Sequence, residues 1–453
     1  MQVELYDTLS RQKKPLEPQD NTVRIYHCGM TVQSRPHVGH LRGYIVMDAL
    51  RRFLRFKGYE IKLVQNITDI DDKVIEKSAA EGIDWRMLAE RNTDELLRVT
   101  DALNIERPTV MPRATQHIEE IIDLVSKIIE KGHAYESKGD VYFDVRSYSK
   151  YGKLSGKNID ELESGARIEP SENKRDPLDF ALWKAAKQGE PYWYSPWGKG
   201  RPGWHIECSA MSAHYLGSEF DLHAGGEDLV FPHHENEIAQ YEAATGNGFA
   251  KAWMHVEMLN LRGEKMSKST GHLVVASDVI EAYDPNVLRM FTLRVHYRAQ
   301  TEYTIEGMDE ARSAWERITT FLAAAQQVLG EPALATEYPK LDAVLSDDFN
   351  TPKAMGLVFD LVHQGNEALA SGDKDKLAEA TVKLNLALQI LGFKPRREEG
   401  VQDVKTLLDL LVRFRSELRA AKAFEWADKL REMIQEAGLI MEDTKEGTRI
   451  RFR

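Results

Sequence analysis

Two short strings carry groups suited to phosphate chemistry. His37-Val38-Gly39-His40 sets two imidazoles around a glycine, and Lys265-Met266-Ser267-Lys268-Ser269 sets two ammonium groups in one loop. Imidazole and ammonium donors serve reactions in which negative charge builds on a triphosphate under attack. Either string alone is weak: His-x-Gly-His arises by chance, and a basic loop is ordinarily a solvated surface. Their order and separation point to one ATP site assembled from two remote loops.

The first string needs a strand-to-helix turn to hold it. Val23 to Gly29 reads as a short strand running into a turn. Leu41 to Lys57 has apolar residues at helical spacing: Ile45, Val46, Ala49, Leu50, Phe53 and Leu54. A second strand is predicted over Glu60 to Gln65. This is a β-α-β start, with Gly39 where backbone must approach a ligand. Nucleotides in such folds sit at the carboxyl ends of strands, near helix N-termini.

Further strings carry a resemblance. They are Cys28-Gly29-Met30-Thr31-Val32, Asn66-Ile67-Thr68-Asp69-Ile70-Asp71-Asp72-Lys73, Arg201-Pro202-Gly203-Trp204-His205-Ile206-Glu207-Cys208-Ser209-Ala210-Met211, and Phe231-Pro232-His233-His234-Glu235-Asn236-Glu237. With the two signatures, the chain resembles the class I aminoacyl-tRNA synthetases, and among them the cysteinyl-tRNA synthetase family, over its whole length. Departures are local. Val38 stands where isoleucine is common, Gln33-Ser34-Arg35-Pro36 replaces an aromatic-acidic pair, and Thr270-Gly271-His272 replaces Leu-Gly-Asn.

The resemblance implies an α/β fold: a class I synthetase Rossmann-fold catalytic domain with a connective insertion, then a helical bundle and a small mixed α/β C-terminal domain. Expected boundaries are 1–119 and 201–254 for the Rossmann halves, 120–200 for the insertion, and 255–310 for a stem-contact region with the basic loop. The bundle is expected over 311–399 and an anticodon-binding module over 400–453. The implied partners are L-cysteine, ATP and tRNA(Cys), with Mg²⁺ accompanying ATP. The cysteine carboxylate attacks the α-phosphate and expels pyrophosphate; the cysteinyl group then moves to the terminal ribose. No protein nucleophile is needed, so catalysis is alignment plus charge stabilisation. His37 and His40 are assigned to the phosphates, and Gly39 to close packing of the nucleotide. Lys265 and Lys268 are assigned to the pyrophosphate, within an ATP-binding loop completed by Met266, Ser267 and Ser269. Thr31 and Asp228 are candidates for the polar end of the amino acid, Trp204 for closure over its side chain, and His223 for contact or support. Arg419, Asp428 and Asp443 are candidate anticodon readers, since acidic groups accept from cytosine and arginine binds guanine edges.

Two thiolates, an imidazole and a carboxylate form a tetrahedral zinc set. The chain has two cysteines and no Cys-x-x-Cys, and isolated cysteines are usually buried hydrophobes. The resemblance places one Zn²⁺ per chain on Cys28, Cys208, His233 and Glu237. His233 and Glu237 are four apart, so a helix would put them on one face. Serine differs from cysteine by one atom, and a pocket that reads only size separates such near-isosteres by only ~100-fold. Zinc prefers thiolate and lowers a bound thiol's pKa. The expectation is a metal that recognises the substrate side chain and does not activate water.

Bulk properties narrow the setting. The net charge of −12 argues against broad nucleic-acid binding but leaves room for local basic patches. Arg413, Arg415, Arg419 and Lys422 form one, and Arg449 to Arg453 another. No apolar run reaches membrane-spanning length and the first residues lack a signal-peptide pattern, so the expectation is a cytoplasmic chain with no membrane partner. With no clear dimer surface, a monomer is expected. Leu322, Val328, Leu341, Leu345, Leu357, Leu361 and Leu388 are expected in the bundle core. Three other readings compete. A mycothiol cysteine ligase passes cysteine to an amino sugar and lacks a comparable tRNA-reading extension. A zinc hydrolase with Glu235 or Glu207 as base leaves Lys265 and Lys268 without purpose. A nucleotide-binding scaffold with structural zinc would show no turnover.

Overall fold

The structure is a computed structural model that describes residues 2–158, 173–261, 264–265, 274–330, 335–395, 399–436, 438–444 and 447–452. It divides into two compact units, Met1–Lys394 and Pro395–Arg453.

The first unit is built on a four-stranded parallel sheet. In spatial order its strands are Trp253–Val256, Leu222–Gly226, Thr22–His27 and Glu60–Gln65. Strands buried on both faces read as apolar runs, and Val23, Ile25 and Tyr26 are all fully buried. From Thr22–His27 the chain crosses to Glu60–Gln65 on one side; from Leu222–Gly226 it crosses to Trp253–Val256 on the other. The carboxyl ends of the two central strands therefore flank a topological switch point, where open α/β sheets bind ligands. Cys28 and Gly226 lie there.

The first crossover is the helix Val38–Phe56. All six residues of its predicted apolar stripe are buried, each aliphatic contributing roughly 1.5–3 kcal/mol. The helix begins three residues before the predicted Leu41 because His37, in extended conformation, acts as its N-cap. Asp48, on the same helix, is buried and accepts hydrogen bonds from Arg289 (2.8 Å) and Arg52 (2.9 Å). Removing one partner of such a buried network costs about 3–5 kcal/mol. The network fixes this helix against the helix Pro285–Leu293.

Between the sheet's halves lies a five-stranded antiparallel sheet, in the order Ala134–Ser137, Asp140–Phe143, Phe180–Ala185, Gly198–Pro202 and Trp193–Ser195. Its strand Gly198–Pro202 runs through Gly203 into the helix Trp204–Leu216.

Helices Ile305–Leu329, Pro339–Ser346, Thr351–Ser371 and Lys374–Ile390 follow. Asn350 caps the third, accepting from the Lys353 N–H at 3.2 Å. Leu341, Leu345, Leu361 and Leu388 are buried, and Leu322 and Leu357 are partly buried against the core. Val328 is not a core residue: it is 43% exposed. The buried stripe of its helix runs Met308, Ala311, Trp315, Ile318, Phe321, Ala325 and then the partly buried Leu329, which turns Val328 outward in the last turn.

The second unit has helices Glu399–Ala420 and Phe424–Glu436, then an antiparallel pair, Leu439–Thr444 with Gly447–Phe452. Among the described residues no helix is long and apolar enough to cross a membrane.

Candidate metal centre and nucleotide site

Four segments converge at the switch point. Cys28 extends the strand Thr22–His27, its N–H donating to Ala224 O at 3.0 Å. Gly29 follows because a Cβ there would lie 1.6 Å from Asn66 O; its N–H donates to Asn66 Oδ1 at 2.8 Å. Cys208 comes from the helix Trp204–Leu216. Glu237 lies in the first turn of the helix Glu235–Thr245, and His233 precedes that helix in the wide turn Val230–His234. The shared helix face expected for these two is thus replaced by a turn leading into a helix, which still holds His233 Nε2 3.0 Å from Glu237 Oε1.

Donor atoms of Cys28, Cys208, His233 and Glu237 all lie within 4.8 Å of one another, and all four residues are buried. The sulfurs are 3.9 Å apart and form no disulfide. Burial and Cys208 push the Cys28 thiol well up. The hydrogen bond from Cys28 holds Cys208 down at about 6. Burial opposes charge on His233, but Glu237 and Cys208 outweigh it and hold the imidazole up at about 10. Burial likewise opposes charge on Glu237, but His223 and His233 hold it down at about 2.

A second ring of groups supports the first. His223 is fully buried, reaches Glu237 Oε2 at 2.8 Å and stacks on Trp253 at 4.3 Å. Its described contacts are with this carboxylate and with neighbouring rings. The His205 and His233 Nδ1 atoms are 2.9 Å apart, and the half-buried Trp204 ring lies 4.3 Å from the His233 ring. His234 Nε2 sits 3.2 Å from Cys28 Sγ. Cys28, His223, His234 and Glu237 make a second, overlapping donor group. Sequence reasoning missed His255 and Thr8. His255 Nε2 is 2.8 Å from His234 Nδ1, and Thr8 Oγ1 is 2.7 Å from His255 Nδ1. Burial drives the His255 imidazole down to about 3, keeping it neutral. No motif connects Thr8 to His255, so nothing in the sequence pairs them.

Thr31 is half-buried and pairs with Thr68. Asp228 is exposed in the short turn Glu227–Leu229 beyond Gly226. Glu235 accepts from the N–H groups of Leu154 (3.1 Å) and Ser155 (2.8 Å). It is occupied as a structural acceptor, which weakens its reading as a hydrolytic base. Burial raises the Glu207 carboxyl well above its usual range.

The string His37-Val38-Gly39-His40 sits at a helix N-terminus, where backbone N–H groups and the helix dipole favour anions. The His37 and His40 rings stack 3.5 Å apart. Gly39 leaves them room, since a Cβ would lie 2.9 Å from His37 Nδ1. No acidic residue occupies the first turn. Of the second signature, Lys265 ends the short strand Glu264–Lys265, while Met266, Ser267, Lys268 and Ser269 lie outside the described residues. The chain just beyond it is bonded to the first signature. The Val38 N–H donates to Val274 O at 3.0 Å and the Ala276 N–H to Pro36 O at 2.9 Å. His37 and Val275 form an antiparallel bridge. Segments more than two hundred residues apart in sequence, Pro36–Val38 and Val274–Ala276, are thereby joined by backbone.

In the second unit Arg419 and Asp428 are exposed on its two helices, and Asp443 lies on the strand Leu439–Thr444.

Residues 14–313 match the family described as tRNA synthetases class I (C) catalytic domain, and residues 340–394 match the DALR domain. A cysteine–tRNA ligase of Carboxydothermus hydrogenoformans is 43% identical, over 99% of each chain. One from Anoxybacillus flavithermus is 44% identical, over 100% of each. One from Thermococcus onnurineus is 42% identical, over 99% of this chain and 98% of its own. Among solved structures, a Mycobacterium tuberculosis methionyl-tRNA synthetase in complex with methionyl-adenylate has a TM-score of 0.57 and 20% identity. It covers 86% of this chain and 94% of that one, a likeness of fold.

Proposed function

The chain belongs to the cysteinyl-tRNA synthetase family, and we propose that it selects its amino acid through a zinc ion held by Cys28, Cys208, His233 and Glu237. It is an ATP-dependent cysteine–tRNA ligase: it activates cysteine with ATP and charges tRNA. The observation that carries the metal reading is the convergence of two sulfurs, an imidazole and a carboxylate in one buried cluster. That donor set fits zinc. When bound, zinc supplies a Lewis acid that takes the substrate sulfur as thiolate, which a serine hydroxyl matches poorly.

The remaining roles belong to the chain's own groups. His37 and His40, at the helix N-terminus, donate to the triphosphate where charge develops. Lys265 and Lys268 neutralise the pyrophosphate, and Mg²⁺ accompanies ATP. Support comes from the backbone junction of Pro36–Val38 with Val274–Ala276. Trp204 bounds the amino-acid side chain beside His233, and Thr31 and Asp228 meet its polar end. Arg419, Asp428 and Asp443 read the anticodon. A monomeric, cytoplasmic protein completes the reading.

Cysteine-dependent ATP–pyrophosphate exchange followed by transfer to tRNA(Cys) tests the function. Transfer to an amino sugar in place of tRNA would favour the competing ligase, and no exchange would favour a scaffold.

Metal loading carries its own prediction. At pH 7 the metal-free site holds protons on His233 (about 10) and Cys28 (raised), whereas Glu237 (about 2) and Cys208 (about 6) are ionised. All four must ligate deprotonated, so zinc binding should release about two protons, one each from His233 and Cys28. Affinity should then fall about a hundredfold per pH unit on acidification, more steeply below about pH 6, where Cys208 also takes a proton. Calorimetry in buffers of different ionisation heat measures the proton count. Release of no proton would contradict the assigned charge states.

A further inference from the structure

Beyond the four ligands runs a chain of contacts that ends near the N-terminus. Cys28 Sγ meets His234 Nε2 at 3.2 Å, His234 Nδ1 meets His255 Nε2 at 2.8 Å, and His255 Nδ1 meets Thr8 Oγ1 at 2.7 Å. His234 is fully buried, His255 is nearly so and Thr8 is half-buried. Thr8 is held in place by backbone: its N–H donates to Trp253 O at 2.9 Å, and the Trp253 N–H donates to Asp7 Oδ1 at 2.9 Å. The strand Glu4–Asp7 is thus clamped to the strand that carries His255.

We propose that Thr8 and His255 are positioning residues that hold His234 in the one tautomer able to donate an N–H to the Cys28 sulfur. The inference rests on Cys28 being a metal ligand. A nitrogen-to-nitrogen contact of 2.8 Å needs one N–H and one lone pair. If the proton were on His234 Nδ1, His234 Nε2 would turn a lone pair toward the sulfur, and a metal-bound thiolate has no hydrogen to offer it. The proton between the rings therefore belongs to His255 Nε2, and His234 Nε2–H donates to the sulfur. His255 Nδ1 is left as an acceptor, and the Thr8 hydroxyl, which rotates to suit, donates to it. Each donor in the row finds an acceptor, and the row ends on the thiolate. An N–H directed at a thiolate withdraws electron density from it. Cys28 becomes a weaker donor, and the metal keeps more acceptor strength for an incoming substrate sulfur.

Cobalt in place of zinc reports this directly, because the energy of the sulfur-to-cobalt charge-transfer band follows the electron richness of the thiolates. In the full-length protein loaded with Co²⁺, His255→Phe should move that band to lower energy, because the Cys28 thiolate then loses the N–H that draws on its electron density. Thr8→Val, an isosteric change, should move the band the same way by less, and Thr8→Ser should restore the wild-type position. A loss of packing alone would lower stability without moving the band. An unchanged band in Thr8→Val overturns the inference even if His255→Phe fails to fold. A wild-type protein whose cobalt form shows no thiolate band would instead sink the metal reading, and this inference with it.

Discussion

Replacing Cys208 by serine should strip the chain of zinc and, with it, most of its preference for cysteine over serine. Cys208 is 2% exposed on the helix Trp204–Leu216, and an oxygen there changes little volume. What changes is the donor. The hydrogen bond from Cys28 holds the Cys208 thiol down at about 6, so at neutral pH it stands ionised for a metal; a serine hydroxyl stays protonated. Loss of a supporting residue around a metal costs about 10–100-fold in affinity, and loss of a ligand should cost more. Without the metal the site reads only size and shape, so discrimination should fall to the ~100-fold or less that such pockets achieve between near-isosteres. Metal analysis of the purified variant, with pyrophosphate exchange driven by cysteine and by serine, measures both effects. Retained discrimination in a zinc-free variant would show that sulfur is recognised by something other than the metal.

The strand-helix-strand start was legible because its signals are local. The strand Glu60–Gln65 appears with its predicted bounds, and the buried stripe of Val38–Phe56 follows the 3.6-residue period. The convergence of Cys28, Cys208, His233 and Glu237 was to be expected only through resemblance. Cys28, Cys208 and the pair His233 and Glu237 come from three distant segments whose meeting depends on the parallel sheet order, which no spacing encodes. His223 could be singled out by type, but not its contact with Glu237, which depends on where its strand lies in the sheet. The Thr8–His255 contact spans 247 residues and joins ordinary side chains. Val328 failed for a different reason: a helical stripe drifts around its axis, and in the last turn one position decides between core and solvent.

Replacing His40 by alanine should slow cysteinyl-adenylate formation about 10²–10³-fold, the usual cost of one preorganised donor to developing charge. The Michaelis constant for cysteine should change little, because the role proposed for His40 is toward the phosphates. The geometry behind this expectation is the N-terminus of Val38–Phe56, where His40 stacks on the cap residue His37 and the first turn carries no acidic residue. The backbone bonds from Val38 to Val274 and from Ala276 to Pro36 add a second expectation. If the joined loops place His40 and Lys268 on one triphosphate, the two groups act as a unit and their losses should not add. The variant carrying both His40→Ala and Lys268→Ala should then lose less than the product of the single effects. Pyrophosphate-exchange rates of the four proteins decide. Strict additivity would mean that the backbone junction holds the loops together while each signature acts on its own.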